Sequence, residues 1–339
     1  MAEFWKPDRS EAWKQHRIQP ESARKLINKA IKSNRDKNIR IVTDSPEIFK
    51  SLDIKIDENP IYFIAGQSVS EALKGEILEN TLFFLLYDCD DSAAQVAKYL
   101  IELGIPYRSG GPIGIAHYMH VNRDVRISLF EAADEVKSRG LSHFDVKDFM
   151  NIAQAIDLTR DIDGHYVEVG VFNGVSGCFA LNYMKRIGLP RTCFFMDVFG
   201  GFVYEEAKAS LDGYWYNTHT DQHSMEEVAA RLNAYADSTS GLSVRVEKNN
   251  IISDALPDDL GDIVVLNLDV DMYDAVRAGL IKMAPKIAPK GIIICEDAGH
   301  SGALLGARVA VNEFLKTAEG RRFMPIVMES GQTLLINIG

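Results

Sequence analysis

Apolar residues recur along the chain in two different periods, and these periods indicate how it is organised. A group of short apolar runs and one segment of helical spacing predict a small α/β domain over residues 1–110. Ser109-Gly-Gly-Pro112 is a break in the pattern, and residues 120–160 then have helical spacing, so a helical linker or lid is predicted over residues 111–160. The apolar runs are residues 39–42, 61–65 and 82–87, and the helical segment is 92–103.

From residue 161 to residue 339, strand-like and helix-like segments alternate regularly. This alternation predicts a mostly parallel sheet. Only Glu329-Ser-Gly-Gln332 separates the last two strands, so they form an antiparallel hairpin. A seven-stranded, Rossmann-like sheet with a terminal hairpin is the shape expected of a class I methyltransferase, which uses S-adenosylmethionine (SAM). The predicted strands are 166–171, 192–198, 243–247, 262–268, 291–295, 323–328 and 333–338, and the helices are 176–187, 224–235, 274–286 and 304–317.

Composition narrows the classes of partner. The 339 residues carry a formal net charge of -11, and so acidic a surface repels phosphate backbones, so no nucleic-acid partner is expected. No apolar run reaches the roughly 18 residues that span a bilayer, and the N-terminus has no apolar signal core. The four cysteines include no CxxC pair and indicate a reducing cytoplasm. We expect a cytoplasmic homo-oligomer with no membrane partner.

The first strand of the C-terminal half runs into a glycine-containing loop. Glycine at 170 and 174 allows a tight turn and lets a ligand touch the backbone, and the following helix points its positive N-terminus there. Such a glycine pair is often only a turn. The second strand ends in Asp197, whose carboxylate can accept hydrogen bonds from both hydroxyl groups of a ribose. The loop reads E-x-G-x-x-x-G, unlike the G-x-G-x-x-G of dinucleotide folds.

These features together predict a SAM site. Glu168 lies inside the first strand, where its charge is expected to bind the ammonium group of the cofactor's amino acid end. The full set of predicted cofactor-binding residues is Glu168, Gly170, Asn173, Gly174, Ser176, Asp197, Phe199 and Asn249.

Acidic residues follow the fourth and fifth strands of this half, which are neighbours in the expected topology. Three carboxylates packed together raise one another's pKa, and a hard divalent cation removes that penalty. We therefore predict a site for Mg²⁺, or for Mn²⁺ or Ca²⁺, held by Asp269, Glu296 and Asp297. The alternative is that these acids only cap helices. Asp269, Asp271 and His300 are the candidate catalytic residues that accept the proton.

Several motifs occur in order through this half. Among them are Val167-Glu-Val-Gly-Val-Phe-Asn-Gly174, Met196-Asp-Val-Phe-Gly-Gly-Phe202, Leu266-Asn-Leu-Asp-Val-Asp-Met-Tyr273 and Ala288-Pro-Lys-Gly-Ile-Ile-Ile-Cys-Glu-Asp297. With the shorter segments 149–152, 224–228, 254–257 and 306–314, they resemble the macrocin O-methyltransferase family over roughly residues 145–339.

The resemblance implies SAM- and Mg²⁺-dependent methylation of a sugar hydroxyl, on a polysaccharide or a glycosylated natural product. It implies that the metal is bound at Asp269, Glu296 and Asp297. The chain departs from the family at Glu296, where the family usually has aspartate.

Three other interpretations stay open. Asp269-Val-Asp271 also has the form of the metal-binding DxD of a glycosyltransferase. Methylation of a catechol-like phenol needs the same metal chemistry as methylation of a sugar. A third interpretation is a non-catalytic assembly module in which residues 1–110 matter most.

Overall fold

The structure of the chain is a computed structural model. It divides into two compact units, Glu3–Arg126 and Ile127–Gly339, apart from the first two residues. The predicted domain boundaries at residues 110 and 160 stay a prediction. No helix among the described residues is long and apolar enough to cross a membrane. The structure describes residues 20–34, 36–43, 49–50, 52, 61–62, 68–74, 76, 80–86, 91–109, 122–141, 144–210, 212–220, 223–237, 239–299 and 304–339.

The first unit is a small α/β structure. Its elements are α1 (Pro20–Ser33), β1 (Asn38–Thr43), β2 (Ile61–Tyr62), α2 (Val69–Ala72), β3 (Thr81–Leu86), α3 (Asp91–Glu102) and β4 (Tyr107–Ser109). The strands pair in parallel in the order β2-β1-β3-β4. Alternate residues of β3 face opposite cores: Phe84 packs with Ile27 of α1, and Phe83 packs with Leu100 of α3. Burial on both faces explains why every residue of β3 after Thr81 is apolar.

Helix α4 (Arg123–Arg139) crosses the division between the units. The elements that follow are α5 (Val146–Leu158), β5 (His165–Val169), α6 (Val175–Arg186), β6 (Arg191–Asp197), α7 (Glu205–Ala209), α8 (Met225–Asn233), β7 (Leu242–Lys248), β8 (Ile263–Leu268), α9 (Tyr273–Met283), β9 (Ile287–Cys295), α10 (Leu305–Phe314), β10 (Phe323–Val327) and β11 (Thr333–Asn337).

The strands of the second unit form one seven-stranded sheet in the order β10-β11-β9-β8-β5-β6-β7. Strand β11 is antiparallel to both of its neighbours, and the other pairs are parallel. The predicted fold, a Rossmann-like sheet with a terminal hairpin, is confirmed. Because the strand order reverses direction at β5 and β8, a ligand is expected at their carboxyl ends.

Strand β9 begins at Ile287 rather than at residue 291. The start of this strand was predicted too far along the chain, because Pro289 lacks the N–H that a residue in a central strand donates. A register shift accommodates the extra residues, since Ile263 pairs with Ile287 whereas Val265 pairs with Ile292.

Helix α6 packs unusually close to the sheet at Gly177. A Cβ atom at this position would lie 2.6 Å from the ring of Phe195 on β6. The close contact brings the N-terminus of α6 down onto the carboxyl ends of β5 and β6.

We expect Gly177→Ala to destabilise the protein by about 1–3 kcal/mol, because overpacking outweighs the gain in helix propensity of about 1 kcal/mol. Urea unfolding measures this change. A more stable variant would contradict the close packing of α6 on β6.

Candidate active site

The loop after β5, residues 170–174, is called the β5 loop, and it lies directly against the loop after β8. Gly170 has a φ of +88°, and a Cβ atom there would overlap the carbonyl oxygen of Asp269. The backbone N–H of Asp269 donates to the carbonyl of Val169 at 2.8 Å. Glycine is therefore required at 170 for the two loops to touch.

Asp197 holds the β5 loop from the side of β6. Its Oδ2 accepts hydrogen bonds from the backbone N–H groups of Val171 (2.7 Å) and Phe172 (2.9 Å), and its Oδ1 accepts one from Phe199 (2.7 Å). Phe172 has a φ of +48°, which a non-glycine residue adopts only when its surroundings impose it. A carboxylate offers about four acceptor positions, so three of them are filled. This anchoring role was missed from the sequence, and ribose binding stays a prediction.

Glu168 lies fully buried beneath the β5 loop. Its Oε1 accepts from the hydroxyl of Ser176 at 2.7 Å, and its Oε2 accepts from the hydroxyl of Tyr166 at 2.9 Å. Burial raises the pKa of Glu168 to about 7, against the lowering effect of hydrogen bonds from Ser176, Tyr166 and Asn267. The carboxyl group therefore changes its charge near neutral pH.

Asn173 and Gly174 complete the β5 loop. The Oδ1 of Asn173 accepts from the backbone N–H of His223 at 3.0 Å. Gly174 has a φ of +75° and precedes the first residue of α6. The predicted cofactor residues of this segment are thus brought together at the N-terminus of α6, where the positive end of the helix dipole favours anionic groups.

Asn249 follows β7, the next strand beyond β6. Its backbone N–H donates to the carbonyl of Asp197 at 2.8 Å, and its Nδ2 donates to the carbonyl of Ala255 at 2.9 Å. Its Oδ1 is buried and has no hydrogen-bond partner within the described part of the chain. Since buried polar atoms are normally satisfied, this oxygen is available to a ligand donor.

The predicted acidic residues after β8 and β9 also come together. Burial raises the pKa of Asp269, Glu296 and Asp297 well above the ordinary carboxyl range. Repulsion from Asp297, Glu296 and Asp271 raises the pKa of Asp269 further. The backbone N–H of Asp271 donates to Oδ2 of Asp297 at 2.9 Å. His300 lies outside the described residues.

Helix α5 adds an acid that was missed from the sequence, Asp148. This residue is buried, and its proximity and hydrogen bond raise the pKa of Glu296. Glu296 also accepts a hydrogen bond from Nε2 of Gln332, whose Oε1 accepts from Nδ2 of Asn151 at 2.6 Å. An acidic residue at the start of a helix reads as a capping residue, so no sequence signal marks Asp148.

The cluster can be compared with what a metal ion requires. Buried carboxylates that repel one another have the donor chemistry that a hard divalent cation prefers. Within the residues that the structure describes, however, no three His, Cys, Asp or Glu side chains are arranged to hold an ion. The donors suit a cation in chemistry, and they do not form a preassembled cage.

An aromatic cluster forms between the β5 loop, which contributes Phe172, and the long connection between β6 and α8. The rings of Phe172, Phe202 and Trp215 surround His219, with centroid distances of 5.7, 5.2 and 6.0 Å. Tyr204 lies nearby, and burial, Asp197 and Asp271 raise its pKa. This cluster, called the aromatic wall, was not predicted, because apolar residues do not recur at a regular period in the connection. Its density of aromatic residues was the available signal.

The sequence profile of the macrocin-O-methyltransferase (TylF) family matches residues 138–322. This chain belongs to that family. It is therefore a methyltransferase, and the predicted enzyme class is confirmed. Membership favours this class over the DxD glycosyltransferase and the non-catalytic module. No curated protein matches the chain in sequence.

Several solved structures are similar to this chain. The O-methyltransferase NovP is 20% identical with a TM-score of 0.49, covering 57% of this chain and 81% of NovP. The calicheamicin methyltransferase CalS11 is 16% identical with a TM-score of 0.45, covering 63% of this chain and 91% of CalS11. The O-methyltransferase TomG from Streptomyces achromogenes, solved with SAM, is 13% identical with a TM-score of 0.39, covering 62% of this chain and 90% of TomG.

We expect the titration of Glu168 to make stability depend on pH. Its pKa of about 7 exceeds the ordinary 4.5, so between these values the folded protein holds a proton that the unfolded chain releases. The free energy of unfolding therefore falls as pH rises from 4.5 to 7, by up to about 3 kcal/mol. Glu168→Gln removes this contribution, so the variant gains stability relative to the wild type on going from pH 5 to pH 8.

Urea unfolding at both pH values measures this difference. The control is Glu226→Gln at an exposed position on α8, which removes a carboxyl group outside the buried site. An equal pH response in the wild type and Glu168→Gln would show that Glu168 does not titrate in this range.

Proposed function

We propose that the protein transfers the methyl group of SAM to a hydroxyl group of a sugar, with a divalent cation at the acceptor side. The observation that carries the proposal is the contact between the β5 loop and the loop after β8. Gly170 and the backbone of Asp269 make this contact, so the β5 loop lies beside the buried acids. This closeness supports a methyl donor on the β5 loop and an acceptor at the acids. Family membership supplies the reaction class.

Two buried amide oxygens support binding of SAM, whose ammonium group and adenine amino group are hydrogen-bond donors. Oδ1 of Asn249 and Oδ1 of Asn267 both lack a hydrogen-bond partner among the described residues. Asn267 pairs in register with Glu168 across β8 and β5. The Glu168 carboxyl group and the Asn267 oxygen suit the ammonium group of SAM, and the Asn249 oxygen suits its adenine amino group.

The acids on the other side of the contact support acceptor activation. Asp269, Glu296 and Asp297 would hold the cation, which lowers the pKa of a bound hydroxyl group. Asp269 or Asp271 would take the hydroxyl proton. Burial suits Asp269 to this role, because it raises the pKa of its carboxyl group. The methyl group passes from sulfur to oxygen, and S-adenosylhomocysteine is released.

Membership in the macrocin-O-methyltransferase family favours a sugar acceptor, because resemblance to this family implies methylation of a sugar hydroxyl group. The aromatic wall of Phe172, Phe202, Trp215 and His219 provides apolar ring faces for a cyclic acceptor. A catechol-like phenol fits the same wall. A gain of one methyl group in mass, measured on parallel panels of sugars and phenols, decides between these acceptors.

We expect Asp269→Asn to abolish nearly all turnover while SAM affinity stays level. Asparagine keeps the shape but removes a charge that the cation and the proton transfer need. The metal-free protein should be equally or more stable, because a repelling carboxylate is lost. Turnover, SAM calorimetry and melting temperature measure the three effects.

Near wild-type turnover of Asp269→Asn with Mg²⁺ present would contradict this role of Asp269. Asp271→Asn is the matched variant, since it removes a neighbouring carboxylate that is not a proposed metal ligand. Comparing the two variants separates loss of the metal ligand from loss of an acid.

We expect EDTA to stop methyl transfer and added Mg²⁺, Mn²⁺ or Ca²⁺ to restore it. Without a cation the carboxylates repel one another and the acceptor hydroxyl group is not activated. Rates with and without chelator measure this dependence. Full activity after the metal has been stripped would remove the cation from the proposal and leave the acids as bases.

A further inference from the structure

Arg231 lies behind the β5 loop, in the last turn of α8. It is 8% exposed, and its Nη1 donates a hydrogen bond to the backbone carbonyl of Asn173. Its Nη2 lies 3.1 Å from Nδ1 of His223, which accepts because a guanidinium group only donates. A charged donor on a buried backbone carbonyl is among the stronger hydrogen bonds in proteins.

The guanidinium group is itself held in place by α4. Its Nε lies 3.9 Å from Oε1 of Glu135. Glu135 also accepts from the hydroxyl of Tyr235 at 3.0 Å and pairs with Arg139 at 3.2 Å. This ion pair restricts the guanidinium group before it binds the loop, so Arg231 can hold Asn173 in one position.

His223 adds a second bond to the same residue of the loop. The backbone N–H of His223, just before α8, donates to Oδ1 of Asn173. The side chain of Asn173 is therefore bound by His223 and its carbonyl by Arg231. The loop needs such support, because Phe172 has a positive φ of +48°, which is unfavourable for a residue other than glycine. Asp197 holds Val171 and Phe172, which leaves Asn173 to Arg231 and His223.

We propose that Arg231 is a positioning residue that holds the β5 loop in the conformation that binds the methyl donor. The inference rests on the proposed function, in which this loop binds SAM. Arg231 acts through Asn173 and does not itself take part in the chemistry.

Arg191 provides a matched control. It is 6% exposed, and it too donates to backbone carbonyls, those of Thr159 (3.2 Å) and Ile162 (3.3 Å). It lies at the first residue of β6, the opposite end of the strand from Asp197. Replacing either arginine removes a buried cation, but only Arg231 touches the β5 loop.

The first measurement is SAM affinity by calorimetry. We expect Arg231→Met to weaken binding about ten- to hundredfold, Arg231→Lys to recover part of that loss, and Arg191→Met to bind like the wild type. In turnover assays, KM for SAM should rise with Kd while kcat at saturating SAM changes less than about threefold. A merely structural role would lower kcat by reducing the amount of folded enzyme and leave KM unchanged.

The second measurement is hydrogen exchange of residues 170–176 without SAM. We expect exchange about tenfold faster in Arg231→Met than in Arg191→Met. Unchanged exchange in Arg231→Met, or equal acceleration in Arg191→Met, would overturn the proposal. If Arg231→Met fails to fold, Arg231→Lys decides alone, and wild-type affinity and exchange in that variant would overturn it. A wild type that binds no SAM but shows the expected exchange difference would refute the proposed function and the link to the methyl donor, and it would support only the part of the proposal in which Arg231 holds the β5 loop.

Discussion

Several carboxylates are buried at the carboxyl ends of the central strands of the large sheet, and the rest of the site depends on this constraint. Removing a charge from water is costly unless it is paired, and Asp269, Glu296 and Asp297 respond by raising their pKa. The apolar interior of the sheet offsets that cost, because β8 and the end of β9 are buried throughout. Such local strain is typical of a site kept for function rather than for stability.

Acids at strand ends have two different physical roles in this protein. Asp197 accepts three backbone N–H groups and shapes the surrounding loops. Asp269 contributes its backbone to the contact with Gly170, while its side chain lies among other acids. Hydrogen bonds from the backbone stabilise the first carboxylate, whereas the second is left with repulsion that a cation or a proton relieves.

The β5 loop is held on three sides, by Asp197, by the backbone of Asp269 and by Arg231. Each contact comes from a different strand or helix, so the loop conformation depends on the packing of the whole unit. Holding a loop rigid in advance lowers the conformational entropy that the loop itself loses when a ligand binds. Glu296 has a similar support, since Gln332, directly before β11, donates a hydrogen bond to its carboxyl group.

The sequence by itself determined the sheet, its hairpin and the set of candidate residues. Residue periodicity is a local property, and Gly170, Asp197 and Asp269 could be placed at strand ends from it. The tertiary structure decided what these residues contact. Asp148, Gln332 and Arg231 come from distant segments with no local signal, and β9 began early through a register shift with β8. Hydrogen-bond partners and buried charges depend on packing between segments far apart in the chain, which no local pattern encodes.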